Sequence, residues 1–466
     1  MKTMKKLLAV ILAMTLTMAM GICASASSQG GSAAPKGSIT VTNAIVGETY
    51  KLYKVFDATV SGERVDEGTG ISYTSTWFTK TMAATCDYFD VDDSGNITIK
   101  PAGKKDSGEL SDGAILWLKG QISSFTKIGD SVKATSTTVK WENLDPGYYY
   151  IDTTTGSFVT VDSITPNVNV EDKNSLPSHD KKQATAADGT FGDDLLELNI
   201  GDTVYYQTEI KIGKGSDKDI TLTDTMTDGL DLNQSAITVT KGGTAVDAAN
   251  YTLTPSAHGF TLTLKESYVS ELNKDDVIIV AYSAVINSSA AIDSATGNSN
   301  EAKLEYSEQK ATDTVYVATY DFQLFKTDGS AENTYLPGAK FKLYDALTGG
   351  NLIKVNKDNT GYYLDATADV EIEVNSADGV NVRGLKPGTY YLEETHAPSG
   401  YNKLTERKPV TITSGQTTAH EVYVENHAGA ELPNTGGRGT TLLYAIGAAL
   451  VIGAAVLLIA RRRTEQ

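Results

Sequence analysis

Short segments that alternate apolar with polar residues, parted by clusters of Gly, Asp, Asn and Pro, predict a mainly β chain of tandem sandwich domains with many antiparallel strands. Residues 38–42 (Ser-Ile-Thr-Val-Thr), 203–210 (Thr-Val-Tyr-Tyr-Gln-Thr-Glu-Ile) and 259–264 (Gly-Phe-Thr-Leu-Thr-Leu) carry that pattern. The second observation is the scarcity of long helical periodicities. One interior stretch departs from it: Ser111 precedes Ala114, Ile115, Leu118 and Ile122 at helical spacing, which predicts a helix of about three turns.

Both ends read as processing segments. Lys2, Lys5 and Lys6 precede the apolar residues 7–22, and Ala24-Ser25-Ala26 supplies a small-residue cleavage site, so residues 1–26 are expected to be a secretory signal peptide. Ile22 stands where lipoprotein processing at Cys23 would need a small residue, which places cleavage after Ala26. Cys86 is then the single cysteine of the mature chain, expected to be a buried small apolar residue with no internal disulfide. At the other end, the uncharged run 440–460 is long enough to span a bilayer as one helix. Arg461, Arg462 and Arg463 hold its far end in the cytoplasm.

Taking the three Lys of the signal and the four Arg and one Glu beyond Thr435 from the 40 basic and 58 acidic residues leaves 33 and 57, a net charge of −24. That excludes nucleic acid as a partner and suits a soluble, self-repelling surface protein. Polar seams at 172–189 and 311–320 divide the mature chain into expected domains 27–174, 175–318 and 319–428, followed by a sorting segment 429–466. Residues 144–149 (Leu-Asp-Pro-Gly-Tyr-Tyr) and 385–391 (Leu-Lys-Pro-Gly-Thr-Tyr-Tyr) are similar turn-plus-strand units, which suggests related folds in the first and third domains.

Residues Leu432-Pro433-Asn434-Thr435-Gly436, ahead of the apolar run and the arginines, resemble the LPxTG motif cleaved by sortases, the transpeptidases of Gram-positive surfaces. The resemblance implies that a sortase cysteine attacks the Thr435 carbonyl and that Gly436 onward is discarded. Residues 390–401 (Tyr-Tyr-Leu-Glu-Glu-Thr-His-Ala-Pro-Ser-Gly-Tyr) resemble the E-box, YxLxETxAPxGY, of pilins and collagen-adhesin B-type domains. Residues 322–326 and 336–341 resemble the opening strands of those domains, and 422–426 their closing strand. The family resemblance implies immunoglobulin-like, collagen-adhesin-type sandwiches and an isopeptide between Lys326 and Asn426, assisted by Glu394. Physically, such a triad must be buried: dryness lowers the Lys pKa so that the amine can attack, and the Glu must carry a proton to polarise the Asn carbonyl. Strands that fix the partners in place supply the effective concentration.

The middle domain is similar to the central domain of Gram-positive backbone pilins, with 180–182, 220–230 and 297–306 in the matching order. That likeness implies a second isopeptide from Lys181 to Asn300 with Asp224 as its acid, Lys182 and Asn298 being rivals. Residues 168–174 (Val-Asn-Val-Glu-Asp-Lys-Asn) stand where backbone pilins carry the pilin motif VxVYPKN, with Glu171-Asp172 in place of Tyr-Pro. Lys173 is then the expected acceptor of another subunit's Thr435 acyl group, exposed, and held protonated by the neighbouring acids until a sortase binds.

Other signals stay bland. Residues 90–95 mimic the start of a calcium loop, but Pro101 falls where a bidentate Glu belongs, so a tight turn between strands is expected. The five His lack ligand spacing, and neither a phosphate loop nor a nucleophile elbow is present; no metal, cofactor or activity on external substrates is expected. The chain reads as a structural subunit of a covalent Gram-positive pilus, anchored to peptidoglycan. Its expected partners are pilus-specific and housekeeping sortases, other copies of itself and minor pilins. The alternative is a single-copy wall-anchored adhesin or minor pilin that binds a host ligand.

Overall fold

The computed structural model describes residues 36–60, 71–153, 155–162, 165–429 and 438–464. The expected signal peptide 1–26 and the pentapeptide Leu432-Pro433-Asn434-Thr435-Gly436 lie outside them. The fold is mainly β, as the alternating segments require. Two compact units partition the chain: one runs to Ala318, except that Glu197–Gly201 and Ile292–Ser294 belong with the second, which begins at Thr319.

Within the first unit, strands up to Glu171 pair only among themselves among the described residues, and so do those from Ser178 to Met226 and Leu230 to Ala318. The N-terminal part holds a sheet in the order Asn167–Glu171, Gly37–Thr42, Thr138–Leu144, the first pair parallel. A larger sheet follows the order Ser157–Val161, Gly147–Asp152, Thr49–Val60, Ile71–Thr74. Ile39, Val41, Tyr50, Leu52, Trp141 and Ile151 form one core. A second, aromatic core around Phe56, Phe78, Phe89 and Tyr148 is covered by the helix Asp112–Gly120, whose Ala114 and Leu118 are fully buried. Ser111 caps that helix, its Oγ accepting from Ala114 N at 3.2 Å, as the spacing predicts. Cys86 is buried and unpaired in the same core. Residues 92–96 form the turn between Phe89–Val91 and Ile97–Ile99, with Asp92 Oδ1 accepting from Ser94 N and Asn96 N.

The remainder of the first unit is a sandwich. One sheet runs Ser178–Ala184, Thr203–Lys211, Val277–Ile286, Thr238–Lys241. The other includes Gln309–Ala318, Asn298–Tyr306, Ile220–Met226, Gly259–Leu264 and Tyr251–Ser256 in that order. Period-two alternation sends Val204, Tyr206, Leu222, Val280, Tyr282 and Leu304 inward, and Phe260 of one sheet meets Tyr282 of the other edge to face at 4.9 Å.

The second unit has sheets in the orders Val355–Asp358, Gly361–Leu364, Val380–Leu385, Tyr320–Thr327, His420–Glu425 and Leu352–Ile353, Ala339–Tyr344, Gly388–His396, Lys408–Ile412. Strand Tyr320–Thr327 pairs in parallel with His420–Glu425. The two similar turn-plus-strand units share a detail: Tyr149 Oη donates to Asp145 O at 2.6 Å and Tyr390 Oη to Lys386 O at 2.8 Å, each reaching four residues back. Arg438–Thr464 forms a helix whose segment Leu442–Arg463, containing an 18-residue stretch of mean hydropathy 2.7, is long and apolar enough to cross a membrane.

Candidate functional site

Parallel pairing sets Lys326 opposite Val424, so Asn426 projects two residues further along the adjacent strand on the same face. Glu394 approaches from the other sheet, where it pairs with Phe341. Lys326 is 0% exposed, and Glu394 and Asn426 are 1% exposed. Lys326 Nζ donates to Val424 O at 3.0 Å and Thr327 O at 3.2 Å, with no carboxylate as direct partner among the described residues. Burial pushes its amine down to about 8, against the pull of the Glu394 and Glu425 charges.

Asn426 presents its nitrogen, not its carbonyl oxygen, to the carboxyl: Nδ2 donates to Glu394 Oε1 at 2.9 Å and Oε2 at 3.1 Å. The Asn426 Oδ1 is buried without a hydrogen bond. This differs from a carboxyl aimed at the carbonyl, and the reason lies in Glu394's own partners. Its Oε2 already accepts from Leu404 N at 2.8 Å, so the carboxyl is placed as an acceptor and faces the amide N–H₂.

The middle sandwich brings together a second set. Lys181 comes from the first strand of one sheet; Asp224 and Asn300 lie diagonally on neighbouring strands of the other, where Asp224 pairs with Ala302 and Met226 with Asn300. All three are at most 2% exposed. Lys181 Nζ bonds Asp224 Oδ2 at 2.6 Å and Tyr282 Oη at 2.5 Å, and lies over the rings of Tyr206 and Tyr282 at 5.4 and 5.2 Å from their centroids. Burial pushes the Lys181 amine below its ordinary value, although Asp224 and then Asp313 pull it up. The rivals sit elsewhere. Lys182, next along the strand, faces outward and pairs with Asp180 at 2.9 Å and Glu209 at 3.2 Å. Asn298 braces a loop through both Ala291 N and Ala291 O.

Sequence reasoning missed Tyr282. Its hydroxyl donates to Asp224 Oδ2 and accepts from Asn300 Nδ2 at 3.3 Å, joining the whole set. One inward tyrosine within the apolar strand Val277–Ile286 looks like any core aromatic, so no sequence signal marked it.

Lys173 follows the parallel strand Asn167–Glu171 and is exposed, with no hydrogen bond or ion pair of its side chain among the described residues. The acids beside it are engaged elsewhere. Glu171 accepts from Asn43 Nδ2 at 2.9 Å, while Asp172 is buried, accepting from Tyr50 Oη at 2.5 Å and from Asn174 N at 3.0 Å. Asp172 thus closes an Asx turn with Lys173 at its apex.

Residues 320–427 match the model of the SpaA family, a prealbumin-like fold domain. Residues 424–465 match the LPXTG cell wall anchor motif. With the apolar helix that follows, this makes the chain a cell-wall-anchored surface protein. Over 385 residues it is 24% identical to the trypsin-resistant surface T6 protein of Streptococcus pyogenes serotype M6, covering 62% of this chain and 70% of that one. Its fold is similar to the solved T6 backbone pilin of serotype M6 S. pyogenes, with a TM-score of 0.51 at 17% identity over 82% of this chain and 81% of that one. The full-length RrgB pilus protein of Streptococcus pneumoniae aligns over 87% of this chain and 100% of its own, at 16% identity and a TM-score of 0.47. The architecture is therefore a pilin-like, multi-domain β fold.

Proposed function

We propose that this protein is the shaft subunit of a covalent, sortase-assembled pilus, organised as domains 27–174, 175–318 and 319–428 ahead of its sorting segment. The observation that carries the reading is the presence, on one wall-anchored chain, of an exposed, unengaged Lys173 held at the apex of a turn. In this scheme a pilus sortase breaks the Thr435–Gly436 peptide bond and holds Thr435 as a thioester. Lys173 Nζ of another copy attacks that carbonyl, forming an isopeptide and restoring the enzyme's thiol. The contact is head-to-tail and does not close, the kind that generates fibres. A housekeeping sortase joins the last subunit to peptidoglycan.

Within each subunit the buried amines act on their own amides. Neutral Lys326 Nζ attacks Asn426 Cγ, Glu394 takes the proton that the new N–C bond displaces, and the same carboxyl returns it to Nδ2, which departs as ammonia. The Glu394 contact to Nδ2 supports that role. Lys181, Asp224 and Asn300 undergo the same overall exchange, one amide formed and one ammonia released. These bonds staple a chain whose mature form has a single cysteine, and neither requires an enzyme.

The test is a Lys173→Ala strain run on a denaturing gel beside its parent. Loss of the high-mass ladder, with monomer still attached to the wall, is expected; an unchanged ladder assigns the acceptor role to another lysine.

A further inference from the structure

The two buried sets differ in one respect that bears on how protons move. In the second unit the carboxyl touches the leaving nitrogen directly, Glu394 to Asn426 Nδ2 at 2.9 Å. In the middle sandwich no hydrogen bond joins Asp224 to the Asn300 amide among the described residues. Asp224 Oδ2 is occupied by Lys181 and Tyr282, Asp224 Oδ1 is buried without a hydrogen bond, and Asn300 Nδ2 donates to Tyr282 Oη. A proton released from Lys181 to Asp224 therefore has no direct way to the nitrogen that must leave as ammonia. The Tyr282 hydroxyl lies within hydrogen-bond reach of every group involved, on a ring fixed by Tyr206 stacked at 5.4 Å and Phe260 edge-on at 4.9 Å.

We propose that Tyr282 is a catalytic residue of the middle cross-link, relaying a proton from Asp224 to the Asn300 side-chain nitrogen. This rests on the cross-linking reading above. As Lys181 Nζ bonds to Asn300 Cγ, its surplus proton passes to Asp224. Tyr282 gives its hydroxyl proton to Nδ2 and is reprotonated from Asp224, and the Cγ–Nδ2 bond breaks. One amide and one ammonia result, and Tyr282 and Asp224 end as they began. Asp313, the other acid near Lys181, accepts from the Lys181 backbone N–H at 2.8 Å and has no hydrogen bond to Asn300 among the described residues, so it offers no alternative path.

Tyr282→Phe removes the relay and keeps the ring. The experiment is an intact-mass time course of the full chain during cell-free synthesis. The parent is expected to lose two ammonias, and Tyr306→Phe, which deletes another hydroxyl of the same sandwich, one bonded to Asp217, to lose both at the parental pace. Tyr282→Phe is expected to lose one promptly, at Asn426, and the second about 100-fold more slowly or never. Should Tyr282→Phe fail to fold, 3,5-difluorotyrosine placed at position 282 keeps shape and hydroxyl but makes a stronger acid. It is expected to change the rate of the second loss alone. Loss of both ammonias at the parental rate in Tyr282→Phe, or an unchanged rate with the fluorinated residue, overturns the relay. A parent that keeps its ammonia at Asn300 overturns the cross-linking reading itself, and the relay with it.

Discussion

The side-chain nitrogen of Asn426 donates to both carboxyl oxygens of Glu394, joining the last strand of one sheet to the E-box strand of the other. Lys326, on the strand beside Asn426, has only backbone carbonyls as hydrogen-bond partners among the described residues. That geometry supports the proposed exchange: an amine with no carboxylate bound to it there, next to an amide whose nitrogen is already bound to a proton carrier.

Glu394→Ala should therefore leave the second unit unlinked, and by intact mass the protein should fall short of its own translated sequence by one ammonia fewer than its parent does. Losing a link that closes a loop of about 100 residues should cost about 4–5 kcal/mol of stability in denaturant unfolding. An unaltered shortfall would show that the bond forms without the carboxyl, or not at all.

Lys181 and Lys182 should behave as opposites. Lys181→Met should block the middle link and lose one ammonia fewer from its translated mass than the parent. Lys182→Met should lose as many ammonias as the parent and change stability by less than about 1 kcal/mol, because its two ion pairs lie at the surface.

The same pair marks how far the sequence could be read. The mainly β class, the capped helix at Ser111 and the wall anchor were legible, because periodicity, capping and motif order are local properties. The E-box marked Glu394 for the same reason, and it lies buried on the strand Gly388–His396. Choosing between Lys181 and Lys182 was beyond it: consecutive strand residues point to opposite faces, and only the register against Thr203–Lys211 and the packing of the second sheet decide which is inside. Asp172 reads as a linker acid until Tyr50, 122 positions away, is seen to hold it.

Gly259 offers a test that leaves every reacting group in place. It pairs with Thr225, beside Asp224, at a φ of 150°, and a Cβ there would lie 2.1 Å from the Asp224 carbonyl oxygen. Gly259→Ala must therefore displace the backbone at Asp224, whose side chain meets Lys181. A destabilisation of about 1–3 kcal/mol is expected, with a fraction of molecules unlinked in the middle domain. Complete linkage by intact mass would mean that the site tolerates displacement of its acid.

The lowered Lys326 pKa sets a pH signature in protein that cannot form the link. Asn426→Ala keeps the buried amine, whose folded value of about 8 lies below its ordinary 10.5. Between those values the unfolded chain binds the proton that the folded chain has lost, so unfolding free energy rises with pH, by at most about 1.4 kcal/mol per unit. Below about pH 8 both states hold the proton, and the penalty of burying the charge is complete. Stability of Asn426→Ala should thus climb from pH 8 toward 10.5 relative to Lys326→Met, which is also unlinked but has no amine to titrate at that position. Parallel curves for the two variants in urea unfolding across that range would mean that the amine titrates alike in the folded and unfolded states, which removes the basis for its nucleophilicity.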